Sequence, residues 1–361
     1  MAILSLAAKS LWNRRLTSAL VVLSIALSVA LLLGVERLRT QARASFANTL
    51  SGTDLIVGAR GGPINLLLYS VFRIGDPTNN VSWRGYQTFA AHPQVAWTVP
   101  LSLGDFHRGF PVLGTTGAYF QHYRYGRNQP LRFAEGREFT DMFDAVLGAA
   151  VADRLGYALG QSIIIAHGAG AVSFALHDDK PFQVVGILAR TGTPVDQTVH
   201  ISLEGMEAIH ADWFGGAPVP GLRLSPEQVR RLDLTPKTIT AFLVGLHSRT
   251  AIFRMQREIN TFAGEPLLAI LPGLTLQQLW DLMGLAENAL LVVSGLVVLV
   301  GLTVMLAALL TGLNERRREM AILRSVGARP ATVLGLLSAE AGVLTLAGVL
   351  LGTALTYLGL V

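Results

Sequence analysis

The chain has 361 residues, of which 51% are hydrophobic and 15% charged, and its formal net charge is +5. The apolar share is too high for a typical soluble protein and indicates membrane spans, although a large polar part must also exist. The absence of cysteine excludes disulfides, thiolate metal sites and a cysteine nucleophile. Basic residues cluster beside the apolar runs and are not interleaved with aromatic residues, which favours a membrane surface and argues against nucleic acid as a partner.

The N-terminal region predicts a membrane anchor. Residues 1–15 combine apolar side chains with Lys9, Arg14 and Arg15, a pattern typical of an interfacial helix on the cytoplasmic face. Residues 16–35 carry no charge and are long enough as a helix to cross about 30 Å of hydrocarbon. A signal peptide is the alternative, but the run is longer than its usual apolar core and no clean cleavage site follows. We therefore expect transmembrane helix 1 here, with the N-terminus inside.

Residues 36–285 predict one large outer segment of mixed α+β structure, with helices that continue the spans as a stalk. Alternating or β-branched runs predict strands at residues 54–57, 95–99, 162–166, 182–188, 199–202 and 240–246. Helical periodicity predicts helices at residues 37–50, 144–155, 203–210, 226–232 and 248–262. A further helix, with Thr275 as its N-cap, is expected to lead into the second span. The middle part, about residues 101–236, is expected to form a second lobe.

Three stretches of the outer segment each allow more than one interpretation. The apolar run at residues 66–72 fits a core helix or a surface that touches lipidic cargo. Residues 189–197 fit a structural turn or a binding loop. His167 and His177, with Asp178 and Asp179, could ligate a metal across a hairpin, sense pH or belong to a solvated loop. Their spacing fits no standard metal template, so no metal is assigned.

The C-terminal part predicts two more spans, at residues 286–313 and 333–361, with a short basic loop at residues 314–332 between them. Arginines in the loop place it on the cytoplasmic side. Met320, Ile322, Leu323 and Val326 recur at roughly helical spacing among the charges, and Gly327 stops the helix. The loop thus predicts a short amphipathic helix whose apolar face packs on lipid or on a cytosolic partner.

The residues of this loop also carry a family resemblance. They fit the signature E-x-x-[RK]-E-[IM]-[AG]-[IL]-[LM]-[RK]-[AS]-[LIV]-G-A at Glu315, Arg318, Glu319, Met320, Ala321, Ile322, Leu323, Arg324, Val326, Gly327 and Ala328. The signature and the layout around it resemble permease subunits of the MacB/FtsX/LolC-E class of ABC transporters, the mechanotransmission type. The resemblance implies an α-helical membrane protein with a large α+β extracytoplasmic domain inserted between the first and second transmembrane helices. It also implies a multi-pass protein of the bacterial inner membrane with this domain in the periplasm.

The resemblance further implies a function. It implies a non-catalytic permease subunit, without a cofactor, that couples ATP hydrolysis by a separate cytoplasmic ATPase to movements of the periplasmic domain. The expected substrate is lipidic, a lipoprotein, a peptide or drug-like. The signature residues would form the ATPase-coupling segment. Expected partners are the cytoplasmic ABC ATPase, a second permease copy or homologous permease, membrane lipids and a periplasmic or outer-membrane protein.

Two other functions are alternatives to transport. One is an FtsX-like transmembrane regulator of periplasmic or cell-wall enzymes, although such regulators have a much smaller outer domain. The other is a membrane-anchored enzyme, but the sequence has no G-x-x-x-x-G-K-[ST], G-x-S-x-G or H-E-x-x-H pattern.

The third span contains an intramembrane acid, Glu340. Such residues are costly in lipid and usually face protein or water. Glu340 resembles a glutamate that the family carries toward the partner subunit; the alternative is an interfacial carboxylate paired with Arg324 or Arg329. The family's permeases have four spans, whereas this sequence predicts three, so the fourth is expected to be absent or to lie past Val361.

Overall fold

The computed structural model describes residues 12, 14–167, 175–177, 179–214, 217–219, 223–315, 321, 325 and 330–359. The predicted interfacial helix at residues 1–15 therefore lies almost wholly outside the described residues. The chain divides into two units. The helical unit comprises Met1–Arg43 and Asp281–Val361, and the α/β unit comprises Ala44–Trp280.

The helices, in chain order, are α1 (Arg15–Ala47), α2 (Pro63–Leu67, continued by a π-helical turn at Leu68–Phe72), α3 (Trp83–Ala90), α4 (Ala118–His122), α5 (Ala149–Leu155), α6 (Leu203–Ile209), α7 (Pro226–Val229), α8 (Ile252–Asn260), α9 (Pro272–Glu315) and α10 (Pro330–Leu358). The strands are β1 (Leu55–Ala59), β2 (Val81–Ser82), β3 (Val95–His107), β4 (Phe110–Thr115), β5 (Arg124–Tyr125), β6 (Gln129–Pro130), β7 (Phe133–Gly136), β8 (Asp144–Leu147), β9 (Ser162–Ile163), β10 (Ala166–His167), β11 (Ala175–Leu176), β12 (Phe182–Leu188), β13 (Val199–Ser202), β14 (Trp213–Phe214), β15 (Ala217–Pro218), β16 (Thr238–Ile239), β17 (Ala241–Leu246) and β18 (Leu267–Ile270).

One twelve-stranded sheet organises the α/β unit. Its order is β18-β1-β17-β3-β4-β13-β8-β12-β7, with β9, β10 and β11 attached beside this path. Neighbours pair antiparallel except β4 with β13 and β8 with β12, which are parallel. The long strand β3 joins the two halves, because its first part pairs with β17 and its later part with β4. Between these parts its register shifts, and Gly104 takes a φ of 148° that favours glycine, so the strand bends there.

Alternating side chains on the strands divide the core of the α/β unit. On β1 all five residues are buried. Ile56 points into one cluster with Val99 and Leu113, whereas Leu55 and Val57 point into another with residues of α3 and α8. A third cluster, around Phe182 and Ile201, fills the half of the sheet formed by β8, β12 and β13. Because each buried aliphatic or aromatic side chain contributes about 1.5–3 kcal/mol, these clusters supply most of the stability.

The structure confirms some predicted elements and corrects others. The strands expected at residues 182–188 and 199–202 are β12 and β13. The helix expected over residues 144–155 is wrong at its start: Asp144–Leu147 is strand β8, fully buried between β12 and β13, and the helix begins at Ala149. Thr275 is not an N-cap, because α9 already begins at Pro272, and proline suits a first helical position.

Three helical stretches of the chain are long and apolar enough to cross a membrane, judged by length and composition over the described residues. They are Arg15–Gln41 in α1, Pro272–Ala308 in α9 and Pro330–Leu358 in α10. A large mixed α/β unit together with apolar helices fits the expected fold.

Candidate functional site

The predicted coupling segment lies between α9 and α10. Of the signature residues, Glu315, the last residue of α9, and Ala321 are among those described. The others lie outside the described residues: Arg318, Glu319, Met320, Ile322, Leu323, Arg324, Val326, Gly327 and Ala328. Ala321 and Ser325 are described as helical and exposed. The amphipathic coupling helix therefore remains a prediction.

The helices of the helical unit pack closely at glycine positions on α10. A Cβ added to Gly348 would lie 2.6 Å from the Cβ of Ile25, and one added to Gly352 would lie 2.5 Å from the carbonyl oxygen of Ala26. Both partners are on α1, so α10 approaches the α1 backbone directly, as small residues allow between membrane helices. Gly342 is different, since its added Cβ would meet nothing within 4 Å.

A polar side chain connects α1 to α9, and a buried acidic side chain lies on α10. The hydroxyl of Ser28 on α1 donates to the carbonyl oxygens of Ser24 at 2.8 Å and of Val297 on α9 at 3.2 Å. Gly301 on α9 makes room for it, because an added Cβ would lie 3.1 Å from Ser28 Oγ. The predicted intramembrane acid, Glu340 on α10, is only 6% exposed. Its two candidate arginines, Arg324 and Arg329, lie outside the described residues.

Within the α/β unit, the adjoining ends of α1 and α9 are held to each other and to the core. The ring of Phe46 on α1 lies 5.5 Å from that of Trp280 on α9 in an edge-on arrangement, and 4.3 Å from that of Phe72. Leu276 of α9 packs against the same core cluster. We call Phe46, Phe72 and Trp280 the aromatic clamp.

The chain leaving α1 is fixed by hydrogen bonds as well. The Tyr123 hydroxyl donates to the carbonyl of Thr49 at 2.7 Å, and the Gly126 amide donates to the carbonyl of Asn48 at 2.7 Å. The amide of Ser51 donates to the carbonyl of Arg124 at 2.9 Å. Tyr123 is buried, so these bonds tie the end of α1 to the interior of the unit.

The structure decides between the alternatives for two outer stretches. Residues 66–72 form a core segment and not a cargo surface, because Leu66, Leu67 and Phe72 are 2%, 2% and 7% exposed. Residues 189–197 form a structural turn: the buried carboxylate of Asp196 accepts bonds from the amides of Thr191 and Gly192, both at 2.8 Å. Since this carboxylate is occupied by its own loop, the stretch is not an open binding loop.

The histidine cluster differs from its sequence-based description. His177 is 2% exposed, so it does not belong to a solvated loop. Asp179 accepts a bond from Lys180 Nζ at 2.8 Å instead of facing His167, and Asp178 lies outside the described residues. Two residues that the sequence analysis did not single out lie beside His167 and His177: Asp105 of β3 and His210 after α6. No local pattern pointed to these two, because the pairing of β3 with β10 brings Asp105 to the cluster and the end of α6 brings His210 there.

Comparison with known proteins bears on both units. A model of the MacB-like periplasmic core domain matches residues 18–259, and a model of the FtsX-like permease C-terminal domain matches residues 291–360. The chain belongs to the MacB/FtsX class of ABC transporter permeases. Members of this class work with a cytoplasmic ABC ATPase and are generally not catalytic themselves. The family and the apolar helices suggest the inner membrane. No curated protein matches the chain.

Two solved structures are similar to the part of the chain that holds the MacB-like core. The periplasmic region of MacB from Actinobacillus actinomycetemcomitans is 11% identical, with a TM-score of 0.41, over 64% of this chain and 95% of that one. The extracellular domain of the noncanonic ABC-type transporter YknZ from Gram-positive bacteria is 14% identical, with a TM-score of 0.36, over 60% of this chain and 98% of that one.

Proposed function

We propose that this MacB/FtsX-class permease couples ATP hydrolysis by a separate cytoplasmic ATPase to movement of its outer α/β unit, for export or extraction of a lipidic, lipoprotein, peptide or drug-like substrate. In this scheme the loop at residues 314–332 docks on the ATPase. The helices α1 and α9 then carry the movement outward, and a second permease subunit completes the assembly.

The observation that carries this proposal is the anchoring of α1 and α9 in the α/β unit. Each is one continuous helix, of 33 and 44 residues. A rigid helix transmits displacement only if its end is fixed, and both ends here are packed into the core through the aromatic clamp. Aromatic pairs of this geometry are worth about 0.5–1.5 kcal/mol beyond their buried area, which favours movement of the ends together with the unit.

The close packing of α1 against α10 supports the same scheme. A displacement imposed at the loop before α10 would reach α1 directly, because Gly348 lies against the Ile25 side chain of α1 and Gly352 against the Ala26 backbone of α1. The hydrogen bond from Ser28 to Val297 connects α1 to α9 in turn. The three helices would therefore move as a coupled set.

The test uses the full chain, isolated from membranes in mild detergent together with the proteins bound to it. We expect an ABC ATPase to be identified by mass spectrometry. A fluorophore on Thr250→Cys, in a chain that otherwise lacks cysteine, should then change its emission when ATP replaces ADP. Trp280→Ala should retain ATP hydrolysis but reduce this change, since it removes one side of the aromatic clamp.

The matched control is Trp83→Ala. Trp83 stacks on Tyr86 of α3, at 4.7 Å, away from the clamp residues. It should keep the ATP-dependent emission change. An equal change in Trp280→Ala and the parent chain would contradict the proposed route. ATP-dependent activation of a cell-wall hydrolase, with no cargo retained, would support the regulatory alternative.

A further inference from the structure

The α/β unit contains a cluster of potential metal ligands that the transport scheme does not use. His167 of β10 lies directly opposite Asp105 of β3 in the antiparallel register, so both side chains lie on one face of the sheet. His210 follows the last residue of α6. One ligand atom from each of Asp105, His167 and His210 lies within 4.8 Å of the others.

The separations within the cluster suit a metal ion. Asp105 Oδ1 lies 3.0 Å from His167 Nδ1 and 3.5 Å from His210 Nε2. Ligands about 2.0–2.1 Å from a tetrahedral zinc ion lie about 3.3 Å apart, so the observed spacing is close to that of a filled site. The contact to His210 is at the long limit of a hydrogen bond, which makes an ion between the two groups a better fit.

The orientation of His210 points to the same ligand. Its Nδ1 lies 3.0 Å from the carbonyl oxygen of Met206, to which it donates. A neutral imidazole that donates from Nδ1 carries its lone pair on Nε2. His210 Nε2 lies 3.5 Å from the Asp105 carboxylate and has no hydrogen-bond partner among the described residues, so a cation, either a proton on the ring or a metal ion, fits between the two atoms. Metal-binding histidines commonly donate their other nitrogen to a backbone carbonyl in this way.

His177 supplies a further nitrogen at the cluster. Its side chain is 2% exposed, and within the part of the chain that the structure describes its Nε2 has no hydrogen-bond partner. Its ring lies 5.1 Å from that of His210 and 5.0 Å from that of Trp213. A buried imidazole nitrogen without a partner is costly unless something binds it.

Charge and access also favour a cation. The Asp105 carboxylate is only 2% exposed, and a buried carboxylate needs a cation or hydrogen-bond donors beside it. The only buried ammonium at hand in the described structure, Lys180, is neutralised by Asp179 and Asp212 at 2.8 and 2.9 Å. The His167 side chain is 38% exposed, which leaves a route for an ion from solvent.

We propose that Asp105, His167 and His210 bind a divalent transition-metal ion of the zinc type, and that His177, whose ring packs on that of His210, moves in as the fourth ligand. Two or three imidazoles and one carboxylate are a donor set that zinc accepts readily, and tetrahedral geometry suits their spacing. The ion would tie β3, β10 and the end of α6 together in the outer unit. The proposal goes beyond the proposed transport function and does not depend on it.

The test is metal binding by the full chain, purified in detergent through a tag without histidine and stripped with a chelator. Zinc is titrated in competition with a chromophoric chelator, and Co²⁺ is added separately because its visible absorption intensifies in tetrahedral sites. We expect one zinc per chain and an intense Co²⁺ spectrum. His210→Gln should weaken zinc binding at least 100-fold and His177→Gln about 10-fold. A matched control, His92→Ala, removes a histidine that pairs with Glu258 outside the cluster and should change nothing.

A second variant keeps the test decisive if His210→Gln fails to fold. His167→Gln alters a partly exposed side chain and should preserve the circular dichroism spectrum while weakening zinc at least 100-fold. Zinc should also raise the melting temperature of the parent chain and leave that of His167→Gln unchanged. Equal zinc affinity in the parent and His167→Gln chains, or no binding by the parent, would overturn the proposal and leave a hydrogen-bonded histidine–aspartate cluster.

Discussion

Replacement of Gly352 by leucine should separate α10 from α1. The added Cβ alone would lie 2.5 Å from the carbonyl oxygen of Ala26 and 2.9 Å from the Cβ of Val29, whereas ordinary contact begins at 3.4 Å. The helices must therefore move apart by about 0.9 Å before the rest of the leucine is placed. Thr356, one turn further on, reaches the Ala30 carbonyl at 3.5 Å and would lose that contact.

Overpacking of this kind costs about 1–3 kcal/mol, because the clash is with backbone and a rotamer change cannot relieve it. The assay is the temperature at which half of the detergent-solubilised chain stays monodisperse after heating. We expect Gly352→Leu to lower this temperature by several degrees. Gly342→Leu is the matched control on the same helix, since its added Cβ meets nothing within 4 Å. Equal temperatures for the two variants would refute the inferred packing of α1 and α10.

Three further predictions concern packing, pH and topology. Ile25→Cys combined with Gly348→Cys should form a disulfide on oxidation, because the Cβ positions lie 2.6 Å apart and need only a shift of about 1 Å. Ile25→Cys combined with Gly342→Cys should not form one, and equal disulfide yields for the two pairs would contradict the inferred packing of α10 on α1. Burial, then repulsion from Arg73, lowers the pKa of His200 from 6.5 to about 3. Between pH 6.5 and pH 3 the unfolded state therefore binds a proton that the native state does not, so the free energy of unfolding falls as the pH falls. From pH 7 to pH 5 the free energy of unfolding of the parent chain should fall by about 2 kcal/mol through His200, measurable by urea denaturation. In His200→Gln the fall should be smaller by about that amount, and an equal pH dependence in the two chains would show that His200 titrates normally. An impermeant thiol reagent on spheroplasts should label Thr250→Cys and spare Ser325→Cys, and the opposite pattern would reverse the proposed topology.

Local periodicity accounts for the part of the fold that the sequence predicted well. Strand β12 alternates buried and partly exposed residues along Phe182–Leu188, so its pattern is visible without any partner. Strand β8 is the opposite case, because Asp144–Leu147 is buried on both faces and shows no alternation. A short apolar stretch of this kind cannot be distinguished from helix by periodicity, and the error at residues 144–147 follows from that.

The candidate sites show a similar division. The signature at residues 314–332 is contiguous, so it can be recognised from the sequence alone. The histidine cluster is not contiguous: Asp105 and His167 are 62 positions apart and meet only through the pairing of β3 with β10. That pairing follows a bend at Gly104, which no local pattern reveals. The loop histidines could therefore be singled out, but Asp105, the carboxylate that lies 3.0 Å from His167, could not.

Docking of the cytoplasmic loop on an ATPase is tested most directly by Leu323→Glu. Leu323 belongs to the predicted apolar face with Met320, Ile322 and Val326. In a docking groove the new carboxylate would be buried without a partner, at a cost on the order of several kcal/mol, which reduces association by orders of magnitude. Arg318→Ala is the matched control, since a rim charge chiefly affects encounter rate and salt dependence.

The measurement is recovery of the ATPase with the full chain after mild solubilisation, at equal membrane levels of each variant. We expect Leu323→Glu to recover essentially no ATPase, while Arg318→Ala recovers it at low salt and loses it earlier as salt rises. Equal recovery with the Leu323→Glu and parent chains would contradict the coupling role of this loop.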